Sequence, residues 1–217
     1  MTDFANLRSE IFVALLSDVL DALGHRGQTL PPTVRPLDDA SVMVGRARTA
    51  LYMDVYEVVP GENPYELEIA LIDSLRPDEI PVFSCGGTGR IAPWGELLST
   101  AARVRGAAGA LMDGLVRDIK AIRRMGFPVF HAGIGPLDSK GRGKVAQIDV
   151  PVECAGVRVS PGDLIVGDAD GVIVVPQAVE AEALEAAYAK LRGERTTLAE
   201  LEAGHTLAEV FARHGIL

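Results

Sequence analysis

Residues 80–130 repeat one pattern twice: an apolar segment of strand character is followed by a turn and then by an amphipathic helix. In the first copy the strand-like segment 80–85 leads through a glycine-rich turn to a helix over residues 97–106. In the second copy the buried segment 107–112 leads through an Asp-Gly turn to a helix that stops at Gly126. This alternation predicts an α/β fold with right-handed connections, in which ligands bind outside the carboxyl ends of the strands.

An acidic residue and an Arg-Asp pair follow these two strands. Glu96 lies in the first turn, and Arg117 and Asp118 come after twenty intervening residues. Asp118 is a suitable oxygen ligand for a hard divalent cation such as Mg²⁺, and Arg117 can bind anionic oxygen as a planar fork. The backbone N–H groups of residues 95–98, at a helix N-terminus, suit a carboxylate, and Gly95 lets that anion approach the backbone. The alternative is that both carboxylates only cap helices and Arg117 pairs with a neighbouring acid, and spacing alone leaves both interpretations open.

Four segments carry a resemblance to a known family. They read Trp-Gly-Glu-Leu-Leu at 94–98, Asp-Gly-Leu-Val-Arg-Asp at 113–118, Gly-Phe-Pro-Val-Phe at 126–130, and Pro-Gly-Asp with Gly-Asp-Ala-Asp-Gly-Val within 161–172. With these segments the chain resembles the RraA-like family, which includes class II pyruvate aldolases acting on 4-hydroxy-4-methyl-2-oxoglutarate and 4-carboxy-4-hydroxy-2-oxoadipate. The resemblance extends from residue 17 to the closing helices. It implies a single RraA-like domain over residues 1–217, an α/β fold built as an αββα sandwich with C-terminal helices.

The resemblance also implies a lyase site. Asp118 would bind Mg²⁺ or Mn²⁺, Arg117 would contact the keto oxygen of a small anionic 2-oxo acid, and Glu96 would orient a water on the metal as the base. These groups would stabilise the pyruvate enolate that forms when a 4-hydroxy-2-oxo acid is cleaved between C3 and C4, or when oxaloacetate loses CO₂. The aldolases usually carry Asp at the first acidic position, where this chain has Glu96. The substrate-binding residues implied are Gly95, Glu96, Leu97, Leu98 and Arg117.

A second class of function is regulation, because the family includes regulators of ribonuclease E. Those members tend to lack part of the acidic and Arg-Asp motif, whereas all three positions are filled here. A methyltransferase, a third label used in this family, would need a glycine-rich nucleotide loop followed by an acidic residue, and the sequence has no such pattern. We therefore expect a lyase, with a non-catalytic protein-binding regulator as the alternative. The residues do not separate aldolase from decarboxylase.

The charge and hydrophobicity of the chain limit the binding partners and the cellular location that we expect. The net charge of −9 argues against a nucleic-acid groove, which would need a basic surface. No apolar run approaches the roughly 20 residues of a membrane span, and the first residues carry no basic signal region, so we expect no membrane partner and a cytoplasmic location. The resemblance further implies a homotrimer or hexamer in which an acidic residue from a neighbour's C-terminal helices completes the site.

The remaining reactive side chains are expected to be structural. Cys85 and Cys154 show no metal or redox spacing and are interpreted as reduced apolar residues. His131 follows the strand-like segment 127–130 and could reach the crevice, but packing is the favoured role for it. The glycine-rich turn 86–89 is expected to form a wall of the site, with Arg90 available as a second anion contact.

The two ends of the chain predict helices around a β-rich segment. Residues 17–24 are placed in the first helix, and residues 148–176 are predicted to be rich in strands. Within that segment Asp170-Gly171 predicts the two-residue turn of a hairpin. Three closing helices are predicted, over residues 181–191, 198–203 and 206–214.

Overall fold

A computed structural model describes residues 3–87 and 89–216. Within them the helices are α1 (Phe4–Glu10), α2 (Val13–Ala22), α3 (Glu66–Asp73), α4 (Glu96–Val104), α5 (Ile119–Met125), α6 (Glu180–Glu202) and α7 (Leu207–His214). In the described ranges no helix is both long enough and apolar enough to cross a membrane.

The strands follow the same chain order. They are β1 (Arg35–Pro36), β2 (Met43–Asp54), β3 (Glu79–Ser84), β4 (Ala110–Met112), β5 (Leu115–Val116), β6 (Val129–His131), β7 (Gly133–Ile134), β8 (Gly143–Ile148), β9 (Val152–Cys154), β10 (Val157–Val159), β11 (Leu164–Asp168) and β12 (Gly171–Val175). The predicted β-rich segment 148–176 is therefore confirmed.

One large sheet organises the molecule. Its strands lie in the order β1-β6-β4-β3-β2-β11-β12, and β8 also pairs with β2. The neighbours β2, β3, β4 and β6 are parallel to one another. Each of the other strands pairs antiparallel with its neighbour: β1 with β6, β8 and β11 with β2, and β12 with β11. The carboxyl ends of the four parallel strands meet at one edge of the sheet. The connections that leave β2, β3, β4 and β6 therefore start close together, as the sequence predicts for β3 and β4.

The apolar residues fall into three clusters because side chains alternate between the two faces of the sheet. One cluster lies between the sheet and helices α1, α2 and α6, and a second lies under α3, α4 and α5. The third is an inner core closed by the small β9–β10 hairpin. In the β11–β12 hairpin the residues that face the first cluster are Leu164, Val166, Ile173 and Val175, and those that face the inner core are Ile165, Val172 and Val174.

The N-terminal segment corrects one prediction. Residues 17–24 lie in and just after the second helix, because Ile11 and Phe12 have extended backbones that separate α1 from α2. The Val13 N–H at the start of α2 donates to Oδ2 of Asp168 over 2.8 Å. A side chain 155 residues away thus caps α2, which no local pattern reveals.

The C-terminal helices differ from the prediction in one respect. The predicted helices 181–191 and 198–203 are one continuous helix, α6, whereas the helix predicted over 206–214 is confirmed as α7. Gly193 lies inside α6 and packs beside Ile216, where an added Cβ would come within 2.4 Å of the Ile216 Cδ1 atom. A glycine inside a helix costs only about 1 kcal/mol, which packing readily outweighs.

The predicted β11–β12 hairpin is confirmed, but its turn is shifted by one residue. Asp168 pairs with Gly171, so that Ala169 and Asp170 form the turn. The Asp168 carboxylate accepts the Asp170 N–H at 2.9 Å, which stabilises this register through a local side-chain bond.

Candidate active site

Backbone pairing fixes the turn before α4 to the turn before α5. Trp94 forms a parallel bridge with Val116, and the Arg117 N–H donates to the Trp94 carbonyl over 2.9 Å. The Trp94 ring is fully buried and packs against Phe83 and Phe127, with ring centroids 5.6 and 6.3 Å away. Replacing a buried Trp by Ala typically costs about 3–5 kcal/mol, so this ring anchors the turn firmly. The two turns that the sequence places at neighbouring strand ends do lie side by side.

Asp118 stands at the junction of these turns in an unusual backbone conformation. Its φ of 57° and ψ of 30° lie in the left-handed region, which Asp tolerates better than most residues but which still costs energy. Its Oδ2 accepts the N–H of Glu96 over 3.2 Å. A Cβ added at Gly95 would lie 2.6 Å from the same oxygen. Gly95 is therefore required by space, because its own backbone is extended and open to any residue.

The N-terminus of α4 presents backbone donors to this junction. The first N–H groups of a helix have no acceptor inside the helix, and Gly95, the N-cap, has no side chain to satisfy them. The Asp118 carboxylate takes the first of them, from Glu96. The N–H groups of Leu97 and Leu98 remain without intrahelical acceptors, and both residues line the adjoining cavity. This end of α4 can therefore receive a carboxylate.

Arg117 lies between two carboxylates. Its Nε is 4.0 Å from Oδ2 of Asp118, and its Nη1 is 3.6 Å from Oδ1 of Asp138. The side chain is 38% exposed, so part of the guanidinium faces solvent or a ligand. Ion pairs at such exposure contribute little to stability, but they restrict the directions in which the planar fork can point.

Asp138 and Tyr65 form a second polar pair in the same cavity. The Tyr65 hydroxyl donates to Oδ2 of Asp138 over 2.8 Å. Burial opposes ionisation of Asp138, but this bond and the Arg117 charge together lower its pKa below the ordinary value. For Tyr65, burial and then the bond to Asp138 raise the pKa to about 12. At neutral pH the pair is therefore a neutral phenol that donates to a carboxylate.

Glu68 supplies a buried carboxyl to the cavity from α3. The residue is 7% exposed, and the Tyr52 hydroxyl donates to its Oε2. The pKa of Glu68 is raised to about 7, mainly by burial; the Tyr52 hydrogen bond opposes this rise, the Asp138 charge adds to it, and the Arg117 charge opposes it. Glu68 therefore exchanges between the acid and the carboxylate near neutral pH.

These residues surround one cavity of about 310 Å³. Its lining residues are Tyr65, Glu68, Ile69, Ala92, Pro93, Gly95, Leu97, Leu98, Arg117, Asp118, Asp138 and Ser139. The predicted residues Gly95, Leu97, Leu98, Arg117 and Asp118 are thus brought together. Glu96 contributes its backbone N–H to Asp118, but its exposed side chain is not in this lining, and its role stays a prediction.

Sequence reasoning missed Glu68 and Asp138. Glu68 has a recognisable signal, because Leu71 and Ile72, three and four residues later on α3, are fully buried and place Glu68 on the apolar face. Asp138 follows β6 at the same edge of the sheet as Glu96 and Arg117. The expectation that ligands bind outside the carboxyl ends of the strands therefore indicates Asp138 as well.

Other side chains singled out in the sequence lie apart from the cavity. Cys85 and Cys154 are buried free thiols whose pKa values burial raises well above the ordinary range, as expected for structural residues. His131 lies in β6, where burial lowers its pKa. Arg90 donates to Asp54 over 2.7 Å and lies over the Tyr56 ring.

The glycine-rich turn can be placed only in part. Gly86, Gly87 and Gly89 all have positive φ, whereas Thr88 lies outside the described residues. Among the residues that the structure describes, none of these glycines lines the cavity around Arg117. Their proposed role as a wall of the site stays a prediction.

Comparison with known proteins identifies the family. The RraA-like family model, described as Aldolase/RraA, matches residues 13–174. The chain is 36% identical over 188 residues to a Halalkalibacterium halodurans protein named "Putative 4-hydroxy-4-methyl-2-oxoglutarate aldolase", covering 87% of this chain and 83% of that one.

Two solved structures share the fold. An uncharacterised protein from Pseudomonas syringae pv. tomato superposes with a TM-score of 0.82 at 28% identity, covering 97% of this chain and 99% of the other. Streptomyces coelicolor RraAS2, described as an unusual member of the RNase ES inhibitor RraA protein family, gives 0.81 at 28% identity, covering 91% of this chain and 96% of the other. The predicted fold class is confirmed, and the chain belongs to the RraA-like family.

Proposed function

We propose that this protein is a divalent-metal-dependent carbon–carbon lyase that forms pyruvate from 4-hydroxy-2-oxo acids, and that the same site decarboxylates oxaloacetate. The observation that carries the proposal is the convergence of three groups on one cavity: the free N–H groups of α4, the Arg117 guanidinium and the Asp118 carboxylate. The name of the relative from H. halodurans supports the aldolase reaction.

The chain's own residues would hold the pyruvate half of the substrate. The substrate carboxylate would accept the N–H groups of Leu97 and Leu98, where the helix N-terminus favours negative charge. Arg117 would donate to the keto oxygen, on which negative charge develops as the bond breaks. Because Asp138 and Asp118 already flank Arg117, little reorganisation is needed when that charge appears.

Asp118 is the residue that would hold Mg²⁺ or Mn²⁺. Its Oδ2 is bound to the Glu96 N–H, while Oδ1 makes no hydrogen bond within the described part of the chain. That part also contains no group of three or more His, Cys, Asp and Glu side chains placed to hold a metal. A single carboxylate fits a hard cation that keeps several water or substrate oxygens, as Mg²⁺ does. When bound, the cation would polarise the keto oxygen and lower the pKa of a coordinated water.

Glu96 would act at the rim of the site. It is the first residue of α4 and its side chain is exposed, so it can orient a water molecule beside Asp118 without displacing the substrate. We assign to that water the removal of the proton from the 4-hydroxyl group. The assembly as a homotrimer or hexamer and the cytoplasmic location stay predictions of the same proposal.

A second candidate function is a non-catalytic regulator that binds an RNA-processing enzyme. The similarity to S. coelicolor RraAS2 favours it, because the description of that protein names an RNase inhibitor family. A regulator of this kind would need no free carboxylate at Asp118 and no anion site at α4. The two functions therefore make opposite predictions for a variant that removes only the Asp118 charge.

The deciding experiment is an assay of pyruvate release. Oxaloacetate and 4-hydroxy-4-methyl-2-oxoglutarate are each supplied with Mg²⁺ or Mn²⁺ or with EDTA, and pyruvate is measured by coupled NADH oxidation. We expect turnover that requires the metal, that is lost in Asp118→Ala and that exceeds the metal-only background. A wild-type rate equal to that background with both substrates would reject the lyase and favour the regulator.

A further inference from the structure

Glu68 is a carboxyl in a position where apolar side chains are the rule. It lies on the face of α3 that carries the buried residues Leu71 and Ile72, and it is itself 7% exposed. Burying an acid without strong compensation is costly, so such a residue usually has a chemical role or a specific partner. Glu68 also lines the cavity that contains Arg117 and Asp118.

Burial of Glu68 favours its protonated form, whereas the hydrogen bond from Tyr52 favours the carboxylate. The Tyr52 hydroxyl, itself buried, donates to Oε2. Within the described residues no Lys, Arg or His side chain forms an ion pair with Glu68. The charged groups around it are Asp138 and Arg117, which act in opposite directions on its pKa, and burial raises that pKa to about 7. A sizeable fraction of Glu68 is therefore the neutral acid at neutral pH.

The proposed lyase reaction leaves one proton without a donor. Cleavage or decarboxylation produces pyruvate enolate, and C3 must gain a proton before pyruvate can form. Arg117 is assigned to the keto oxygen as a hydrogen-bond donor, and Asp118 is assigned to the cation as a carboxylate. The water beside Glu96 serves the opposite transfer, the removal of the 4-hydroxyl proton. Glu68 is the buried acid of the cavity that no other step uses.

We propose that Glu68 is the general acid that protonates C3 of the pyruvate enolate, an assignment that rests on the proposed lyase function. The electron pair of the enolate C2–C3 double bond forms the new C3–H bond, and the Glu68 O–H bond breaks. The C2 carbonyl is restored, and Glu68 is left as a carboxylate. Solvent returns the proton to Glu68 before the next turnover. In the reverse sense, Glu68 as a carboxylate removes a proton from the methyl group of bound pyruvate.

The competing explanation is purely structural. A buried tyrosine hydroxyl needs an acceptor, and Glu68 supplies one to Tyr52. Glu68→Gln separates the two roles, because the glutamine carbonyl still accepts this hydrogen bond but the side chain cannot transfer a proton. Glu66→Gln is the matched control, since Glu66 lies on the same helix but is exposed and outside the cavity.

The test uses exchange of the pyruvate methyl protons with solvent deuterium. Full-length protein with Mg²⁺ and pyruvate in D₂O is followed by proton NMR, and oxaloacetate decarboxylation is measured in parallel as CO₂ release. We expect Glu68→Gln to reduce the exchange rate by about a hundredfold or more. Decarboxylation should fall by much less, because enolpyruvate can leave the site and form pyruvate in solution. Glu66→Gln should match the wild type in both assays.

The two assays distinguish failure of the Glu68 assignment from failure of the lyase function. An equal fall in exchange and in CO₂ release would mean that Glu68 only supports the structure, and unchanged exchange would equally overturn the assignment while leaving the lyase intact. If Glu68→Gln folds poorly, Glu68→Asp provides the second test, because it keeps a carboxyl. The ratio of its exchange rate to its decarboxylation rate must then be higher than the same ratio for Glu68→Gln. A wild type that neither exchanges nor releases pyruvate would reject the lyase function itself, and the Glu68 assignment with it.

Discussion

Oδ2 of Asp118 lies so close to Gly95 that it leaves no room for a side chain at position 95. A Cβ added to Gly95 would be 2.6 Å from that oxygen. The same Cβ would be 3.2 Å from Cγ of Arg117. One glycine therefore sets the spacing between the helix that offers its N–H groups and the two side chains proposed to bind metal and substrate. This close approach is the basis of the first prediction.

Gly95→Ala should displace the Asp118 carboxylate and break its hydrogen bond with the Glu96 N–H. Because a displacement of about 1 Å can reduce turnover about a hundredfold, we expect kcat/KM for pyruvate release to fall by roughly that factor. Gly27→Ala is the control, because an added Cβ at Gly27 meets nothing within 4 Å. Retention of the full rate in Gly95→Ala would contradict the proposed geometry.

Asp118→Asn should separate the charge of this residue from its backbone role. Asn tolerates the left-handed conformation as well as Asp does and can still accept the Glu96 N–H, so we expect the melting temperature to change by no more than about 3 °C. The loss of the negative charge should reduce Mg²⁺-dependent turnover by at least about a hundredfold. Added Mg²⁺ should raise the melting temperature of the wild type more than that of the variant. Equal turnover of the two proteins would exclude Asp118 as the metal ligand.

Asp138→Asn and Tyr65→Phe should affect catalysis more than stability. Each change weakens the 2.8 Å bond between Tyr65 and Asp138, and Asp138→Asn also removes a charge beside Arg117. With fewer restraints on the guanidinium, kcat/KM should fall by about tenfold, because Arg117 must point at the keto oxygen. Partly exposed ion pairs contribute at most about 1 kcal/mol, so denaturant unfolding should show only a small change. Unchanged kinetics in both variants would show that Arg117 is oriented without them.

Stability should depend on pH through Glu68. Burial raises its folded-state pKa from 4.5 to about 7, so the folded protein retains a proton that the unfolded chain releases between these values. The contribution of Glu68 to stability is therefore fully present below about pH 4.5 and is lost as the pH rises through 7. A shift of this size corresponds to about 3 kcal/mol.

Glu68→Gln carries no such proton, so its denaturant-unfolding free energy relative to the wild type should improve between pH 5 and pH 8. The comparison is made at fixed salt and protein concentration, and Glu66→Gln serves as the exposed control. If the difference in unfolding free energy between Glu68→Gln and the wild type stays constant over this pH range, the raised pKa of Glu68 is contradicted.

Much of the fold was predictable because its signals are local. The strand and helix pattern of residues 80–130 is confirmed, since apolar periodicity, the stop at Gly126 and the buried segment before Asp113 are each properties of neighbouring residues. The α7 helix was predictable for the same reason, as Thr206 and Glu209 form a capping box and Gly215 ends the helix. Parallel pairing then places the ends of β3 and β4 side by side, which brings Gly95 to Asp118.

The sequence by itself therefore determined the order of strands and helices over residues 80–130 and the meeting of the α4 turn with Arg117 and Asp118. Only the tertiary structure decided the remainder of the site. Glu68 and Asp138 come from connections far from residues 95–118 in the chain, and they reach the cavity because α3 packs beside α4 and β6 pairs with β4. The physical reason is that burial and charge around a side chain depend on segments distant in sequence. These surroundings raise the pKa of Glu68 and hold Arg117 between two carboxylates.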